Sequence, residues 1–321
     1  MISDWQPGAS LVALRRRAQV MSLIRNFFSR HSVMEVDVPL LSKSGVTDVN
    51  IDSIYATLSG SLAYLQTSPE YFMKRLLASD SGDIYYLGKA FRDGEIGNRH
   101  NPEFTLLEWY RCGWDEHQLM FELADLVSQL MDREGASDLK VTKISYADCF
   151  HNEFGIDPHQ AGLSDLQDLA ARIGSLSWAG ETRANCLDLI FSLKVEPQLP
   201  KGLVFVYDYP ACQAALAAIT TAERGNKVSR RFEGFLNGVE IANGYFELCD
   251  PVEQRRRFDL DNAARQATGK PVSNIDTKLL DAMHSGLPAC AGVALGLDRL
   301  LMSDLELKSI DQVMPFSWLR C

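Results

Sequence analysis

At 321 residues, 46% hydrophobic and 23% charged, the chain is long enough for one large core or a core with an insertion. Its formal net charge of −10 argues against a broad nucleic-acid-binding face, because neutralising phosphates takes clustered Lys and Arg. The seven cysteines are scattered and never spaced CxxC, no signal peptide is visible, and no apolar run approaches the roughly 18 residues of a membrane span. A reducing, cytoplasmic setting is the expectation.

Residues 11–31 carry Leu14, Ala18, Met21, Ile24 and Phe28 at helical spacing and predict an amphipathic helix. A strand over 33–38 follows and ends at Pro39. Residues 62–66 read as a strand and 68–78 as a helix, with Thr67 or Ser68 placed to cap it and Pro69 at its first position. Glu70, in the first turn, suits the helix dipole.

Residues 83–91 (DIYYLGKAF) and 104–110 (FTLLEWY) are two runs of strand formers. Gly94, Gly97, Asn98, Asn101 and Pro102 between them require a loop. Hairpin loops are usually short. A long one carrying Arg92, Glu95, Arg99, His100 and Glu103 is either a functional element or a solvated tip.

An amphipathic helix over 115–134, a linker over 134–140 and several short helices over 145–196 come next. Residues 203–209 form a buried-type strand. In SRRFEGFLNGVEIANGYFEL, Asn237-Gly238 predicts a two-residue hairpin with Phe235 opposite Glu240 and Glu233 opposite Ala242. That register sets Glu233 and Glu240 on one face, about 7–8 Å apart at the backbone. They are either solvated glutamates or ligands of a hydrated Mg²⁺ carrying phosphates. Glu247 has the opposite parity and joins them only if Asn243-Gly244 forms a bulge. Residues 250–268 and 275–285 read as helices, and 292–302 as a strand running into a helix with Arg299.

Five stretches in order carry a resemblance across nearly the whole chain. FRDGEIGNRHNPEFTLLEWY (91–110) resembles motif 2 of the class II aminoacyl-tRNA synthetases of the lysyl type. VMEVDVPLL (33–41) resembles their motif 1 and GVALGLDRLLM (292–302) their motif 3, with SPEYFMKRL and VEIANGYFEL between. The resemblance implies an α+β catalytic domain over residues 1–321: an antiparallel sheet flanked by helices, with a helical insertion at about 140–200. Only about ten residues precede the motif 1 helix, too few for the family's oligonucleotide-binding barrel. No anticodon-binding domain and no stable tRNA binding are therefore expected. In the family the motif 1 segment forms a homodimer interface, although a helix packed on its own sheet would look the same in sequence.

The resemblance also implies the site. Arg92 would bridge a substrate carboxylate and the α-phosphate of ATP, and Arg299 would pin the γ-phosphate. Phe104 would stack on adenine, His100 and Asn101 would line the nucleotide, and Asp93, Gly94, Glu240, Ile241 and Gly296 would complete the ATP contacts. Glu233 and Glu240 would hold Mg²⁺. Ser68, Pro69, Glu70, Tyr110, Glu247 and Ala294 would surround the amino acid, the acids answering its ammonium groups.

Two positions depart from lysyl-tRNA synthetases. Arg92-Asp93-Gly94 stands where Arg-x-Glu is usual, and Ala294 stands where they have glycine. The added methyl reshapes the amino-acid pocket and argues against ordinary α-lysine. These features resemble a subfamily of barrel-less paralogues that adenylate (R)-β-lysine and transfer it to a lysine side chain of elongation factor P. The accepting amine must be neutral to attack, which from a pKa near 10.4 costs about 4.6 kcal/mol at pH 7. No dedicated general base is visible. Two other readings fit the same residues: a truncated synthetase-like enzyme activating α-lysine for another acceptor, and a non-catalytic regulatory paralogue.

Overall fold

Residues 5–132, 139–174, 177–222 and 225–321 are described in the computed structural model. Much of the expected 134–140 linker thus lies outside the described residues. In the first third, α1 (Leu11–Arg30) leads to β1 (Met34–Glu35), β2 (Leu41–Ser42), β3 (Tyr55–Leu58), β4 (Ser61–Leu65) and α2 (Glu70–Leu77). The motif 2 hairpin is β5 (Ile84–Phe91) and β6 (Glu103–Cys112), and α3 (Glu116–Met131) follows it. Next come β7 (Val141–Ser145), α4 (Tyr146–Phe154), α5 (Leu163–Gly174) and α6 (Arg183–Ile190). A run of strands, β8 (Leu203–Pro210), β9 (Ile219–Thr221), β10 (Lys227–Leu236) and β11 (Val239–Phe246), precedes α7 (Pro251–Ala267) and α8 (Thr277–Gly286). The chain closes with β12 (Cys290–Gly296) and α9 (Leu297–Asp304).

The nine-stranded sheet runs β1-β5-β6-β12-β11-β10-β8-β7, with β9 on β10, and β2-β4-β3 form a small second sheet. The large sheet is antiparallel through its centre and has one parallel pair at each end, β1 with β5 and β7 with β8. Two expectations change here. The strand predicted over 33–38 narrows to Met34–Glu35, because only that stretch pairs along β5 before Pro39. The segment expected to be helical from about 140 begins instead with β7, whose five residues extend the sheet before α4 starts.

Alternation along β6 divides the molecule. Leu107 and Trp109 lie in the main core under α1, α3 and α9, while Leu106, Glu108 and Tyr110 face the other way into a cavity. The helices covering the core begin where their sequences say they should. Ser10 Oγ accepts from Ala13 N at 3.2 Å to start α1, and Asp115 and Gln118 form a capping box on α3. A buried carboxylate, Asp298, then ties three elements together. It accepts from Arg17 Nη1 of α1 at 2.5 Å and from Thr105 N of β6 at 2.7 Å. This fixes the start of α9, and so Arg299, against the motif 2 hairpin.

The β10–β11 hairpin turns at Asn237-Gly238, both at positive φ (53° and 80°), as a two-residue loop requires. Its register differs from the one expected. Phe235 does face Glu240, but Gly234 faces Ala242 and Glu233 faces Asn243, so Ile241 is the extra residue of a bulge. Ile241 and Ala242 both turn to the main core. The bulge resets the parity of β11, and Glu240 therefore shares the cavity face with Asn243, Tyr245 and Glu247.

Candidate active site

The face opposite the main core carries a cavity of about 1070 Å³. Its floor is alternate residues of four strands, including Glu108 and Tyr110, Ala294, Tyr245 and Arg231, with Glu247 just past the end of β11. One wall is the 42–53 segment, which is held against α7. Arg265, fully buried, donates to Asp48 O at 2.7 Å, Ile51 O at 3.0 Å and Asp52 Oδ1 at 2.9 Å. Lys270 Nζ adds Asp52 Oδ2 at 2.8 Å.

At the inner end, Lys74 of α2 is buried between two carboxylates, with Nζ 2.6 Å from Glu70 Oε1 and 2.6 Å from Glu247 Oε2. Burial alone would lower the lysine pKa, but the fields of Glu247 and Glu70 outweigh it and raise the value. Glu247 itself is pushed up to about 7 by burial, against the pull of Lys74. Glu108 accepts from Ser68 Oγ at 2.7 Å and from Tyr110 OH at 2.8 Å. Burial and the neighbouring charge of Glu70 push its carboxyl up to about 8. Fully ionised, three carboxylates and one ammonium leave this end with an excess of two negative charges. The expected residues Ser68, Glu70, Tyr110 and Glu247 thus converge here, with Pro69 as the residue preceding α2. The cap of α2 comes from Ser68, whose Oγ accepts from Glu70 N at 3.1 Å.

Glycine is required at position 292 of this floor. A Cβ there would collide with the Tyr110 ring and sit 2.7 Å from Glu247 Oε1. Ala294 faces Glu108 on one side and Asn243 on the other, so its methyl lies on the cavity floor beside the acidic end.

Beyond Arg92, past the residues that line the cavity, the same sheet face is more open. The Arg92 guanidinium lies over the Phe104 ring, 5.2 Å from its centroid, and 3.5 Å from Glu95. Among the described residues its Nε has no hydrogen-bond partner. Arg299 donates to Glu240 Oε2 at 3.2 Å and to His100 Nε2 at 2.6 Å. Burial and the Arg299 charge lower the His100 pKa, which keeps its imidazole neutral and able to accept. Gly296 precedes α9 beside these groups, with no atom closer than 3.9 Å to where a Cβ would stand. Asp93 is tied to Asp52 O through its backbone N–H at 2.8 Å, and Gly94 takes a positive φ of 75°.

Two expected residues have their polar atoms committed. The Asn101 side chain donates to Glu103 O at 2.6 Å and accepts from Trp318 N at 2.8 Å, so it braces the motif 2 loop against the C-terminal segment. Glu233 accepts from Arg231 Nη2 at 2.5 Å and from Tyr209 OH at 2.6 Å. Burial pushes its carboxyl up to about 7; Arg231 opposes the shift and Glu240 adds to it.

Sequence reasoning missed Lys74 and Glu108. The 3.6-residue period puts Lys74 one turn after Glu70, and strand alternation puts Glu108 beside Tyr110, so both signals were present. No helix among the described residues is long and apolar enough to cross a membrane.

The family described as tRNA synthetases class II (D, K and N) matches residues 6–320. A protein of Erwinia tasmaniensis named elongation factor P–(R)-β-lysine ligase is 44% identical, over 99% of this chain and 99% of its own length. Proteins of the same name from Vibrio vulnificus and Vibrio cholerae are also 44% identical, over 98% and 99% of both chains respectively. A buried acidic pocket beside motif 2, two arginines from motifs 2 and 3, and full-length relatives agree: the chain belongs to the class II tRNA synthetase family, in its branch of elongation factor P–(R)-β-lysine ligases.

Proposed function

We propose that the chain adenylates (R)-β-lysine with ATP and transfers the β-lysyl group to a lysine side chain of elongation factor P. The observation that carries this reading is the set of side chains in the pocket: the carboxyl groups of Glu70, Glu108 and Glu247 around the single Lys74, with Arg92 at the wall. A diaminocarboxylic acid matches that pattern, with two ammonium groups for the acids and a carboxylate for the arginine.

In the first step a carboxylate oxygen attacks the α-phosphorus and pyrophosphate leaves. Arg92, held by stacking on Phe104, is placed to align the carboxylate and stabilise charge growing on the phosphate. Arg299 would exchange its contacts with Glu240 and His100 for phosphate oxygens, an inexpensive swap for partly exposed pairs. In the second step the acceptor amine attacks the acyl carbon, AMP leaves and the amine loses its proton. Burial in the cavity lowers the cost of presenting that amine neutral.

Mg²⁺ would neutralise phosphate charge. The donor set fits one contact better than two: Glu240 is the more exposed carboxylate, whereas both Glu233 oxygens are already held. Among the described residues no cluster of three or more His, Cys, Asp or Glu is arranged to hold a metal, which suits an ion that keeps water and phosphate ligands. Glu240 would hold it and Glu233 would support that face. Exposed Met34, Leu40 and Leu41 on the motif 1 segment support a homodimer.

Incubating the chain with ATP, labelled (R)-β-lysine and either elongation factor P or bulk tRNA tests the acceptor. Label on the protein, removed when its acceptor lysine is replaced by arginine, is the expected result. Label on tRNA alone overturns the reading.

A further inference from the structure

The segment that follows α9 lines no part of the cavity, yet it reaches the motif 2 loop at two points. Ile310 N donates to Asn98 O at 2.8 Å, and Trp318 N donates to Asn101 Oδ1 at 2.8 Å. Between these points the segment is anchored. Ile310, Val313 and Met314 are buried in the main core, and Gly8 N and Ala9 N donate to Pro315 O and Met314 O at 3.0 and 3.1 Å. Asp311 then closes the segment on itself, accepting from Ser317 Oγ at 2.6 Å and from Arg320 Nε at 2.9 Å. That knot sets the single 3-10 turn Trp318–Arg320, and with it the direction of the Trp318 N–H.

Within the loop, Arg92 N donates to Pro102 O at 2.9 Å, and Gly97 and His100 exchange backbone bonds at 3.2 and 3.3 Å. These bonds give the loop its shape. Its placement against the rest of the site is a separate matter. Asn98 and Asn101 flank Arg99 and His100, the two residues that Arg299 meets, at 3.4 Å to Arg99 O and 2.6 Å to His100 Nε2. Asn101 Nδ2 also donates to Glu103 O at 2.6 Å, one residue before Phe104, whose ring lies against Arg92. With an N–H at its oxygen and a carbonyl at its nitrogen, the Asn101 amide has one orientation only.

We propose that the Trp318 N–H is a positioning donor. Through Asn101 it holds His100 against Arg299 and Phe104 against Arg92, so that both arginines stand ready for ATP before ATP arrives. The inference rests on reading Arg92 and Arg299 as the residues that take the phosphates. A long exposed loop left to itself would have to be ordered when the nucleotide binds, and that ordering weakens affinity. A segment rooted in the core removes the cost in advance. The acidic end around Lys74 makes no contact with this segment, so amino-acid recognition is outside its reach.

Replacing Trp318 by proline deletes this one donor. Ser317 is extended (φ −84°, ψ 169°), the conformation that the residue before a proline favours, and the first position of a helical turn accepts proline. Trp318→Ala is the control: the ring is 59% exposed, and its loss leaves the N–H in place. Pyrophosphate exchange gives KM for ATP, and calorimetry without ATP gives Kd for (R)-β-lysine. Trp318→Pro should raise the ATP KM about tenfold and leave the β-lysine Kd at the parent value, while Trp318→Ala changes neither. Arg320→Ala loosens the knot from its exposed side and should raise the ATP KM two- to threefold, which keeps the test decisive even where the proline variant does not fold. An ATP KM in Trp318→Pro equal to that of Trp318→Ala, a matching loss for β-lysine, or an unmoved ATP KM in Arg320→Ala overturns the positioning role alone. A parent chain without ATP-dependent exchange overturns the adenylating reading and the positioning role with it.

Discussion

The two ends of the cavity face hold similar numbers of charges but treat them differently. At the inner end Lys74 and Glu247 are each 1% exposed and locked in pairs at 2.6 Å. At the outer end Arg299 and Glu240 are 23% and 40% exposed and meet at 3.2 Å. Buried charges are expensive to leave unpaired, so the inner end is part of the folded structure before any ligand arrives. Exposed pairs exchange partners cheaply, so the outer end can release its arginines to phosphates. On the proposed function, the inner end would serve recognition and the outer end chemistry.

Lys74→Met should break the inner end with the largest effect. Removing the ammonium leaves Glu70 and Glu247 without it, and urea unfolding near neutral pH should show a loss of about 3–5 kcal/mol. Arg92→Ala and Arg299→Ala are the outer-end counterparts. Each should lower kcat/KM for pyrophosphate exchange about 100- to 1000-fold while stability stays within about 1 kcal/mol of the parent. A large stability loss in Arg299→Ala would erase the distinction between the ends.

Glu108→Gln sharpens the contrast through pH. The folded pKa of Glu108, near 8, lies above its ordinary value of 4.5, so the folded state holds a proton that the unfolded state has released. Stability from this group is therefore full below about pH 4.5 and declines as pH rises through 8. The glutamine variant keeps an uncharged side chain there, and should gain on the parent by up to a few kcal/mol between pH 6 and 9 in urea titrations. A parent and variant that fall in parallel would place the titrating group elsewhere. The smallest expected effect is on the cavity floor beside Glu108. Ala294→Gly removes one methyl and should shift the exchange preference roughly tenfold toward α-lysine.

How far the sequence could be read follows from the range of each interaction. The hairpin turn at Asn237-Gly238 and the starts of α1 and α3 rest on neighbouring residues, and the structure has them where the residues imply. The placement of Glu247 did not follow, because it depends on the bulge at Ile241 rather than the suspected one at Asn243-Gly244. Strand parity says where a side chain points only until the register slips. Lys74 was passed over because a Glu-Lys pair one helical turn apart also describes an ordinary solvated surface. Its burial comes with Glu247, which follows β11 far along the chain. Asn101 illustrates the same limit: its partner, Trp318 N, lies 217 residues away. The short strand β7 was read as part of a helical stretch, since five residues without strong alternation do not outweigh the helices after them.

Amino-acid-dependent ATP–pyrophosphate exchange, with (R)-β-lysine, α-lysine and other amino acids at equal concentration, tests the central claim most directly. The account predicts strong exchange with (R)-β-lysine and weak exchange with α-lysine. Preference for α-lysine would contradict the role given to Ala294, and no exchange with any amino acid would contradict the adenylating site itself.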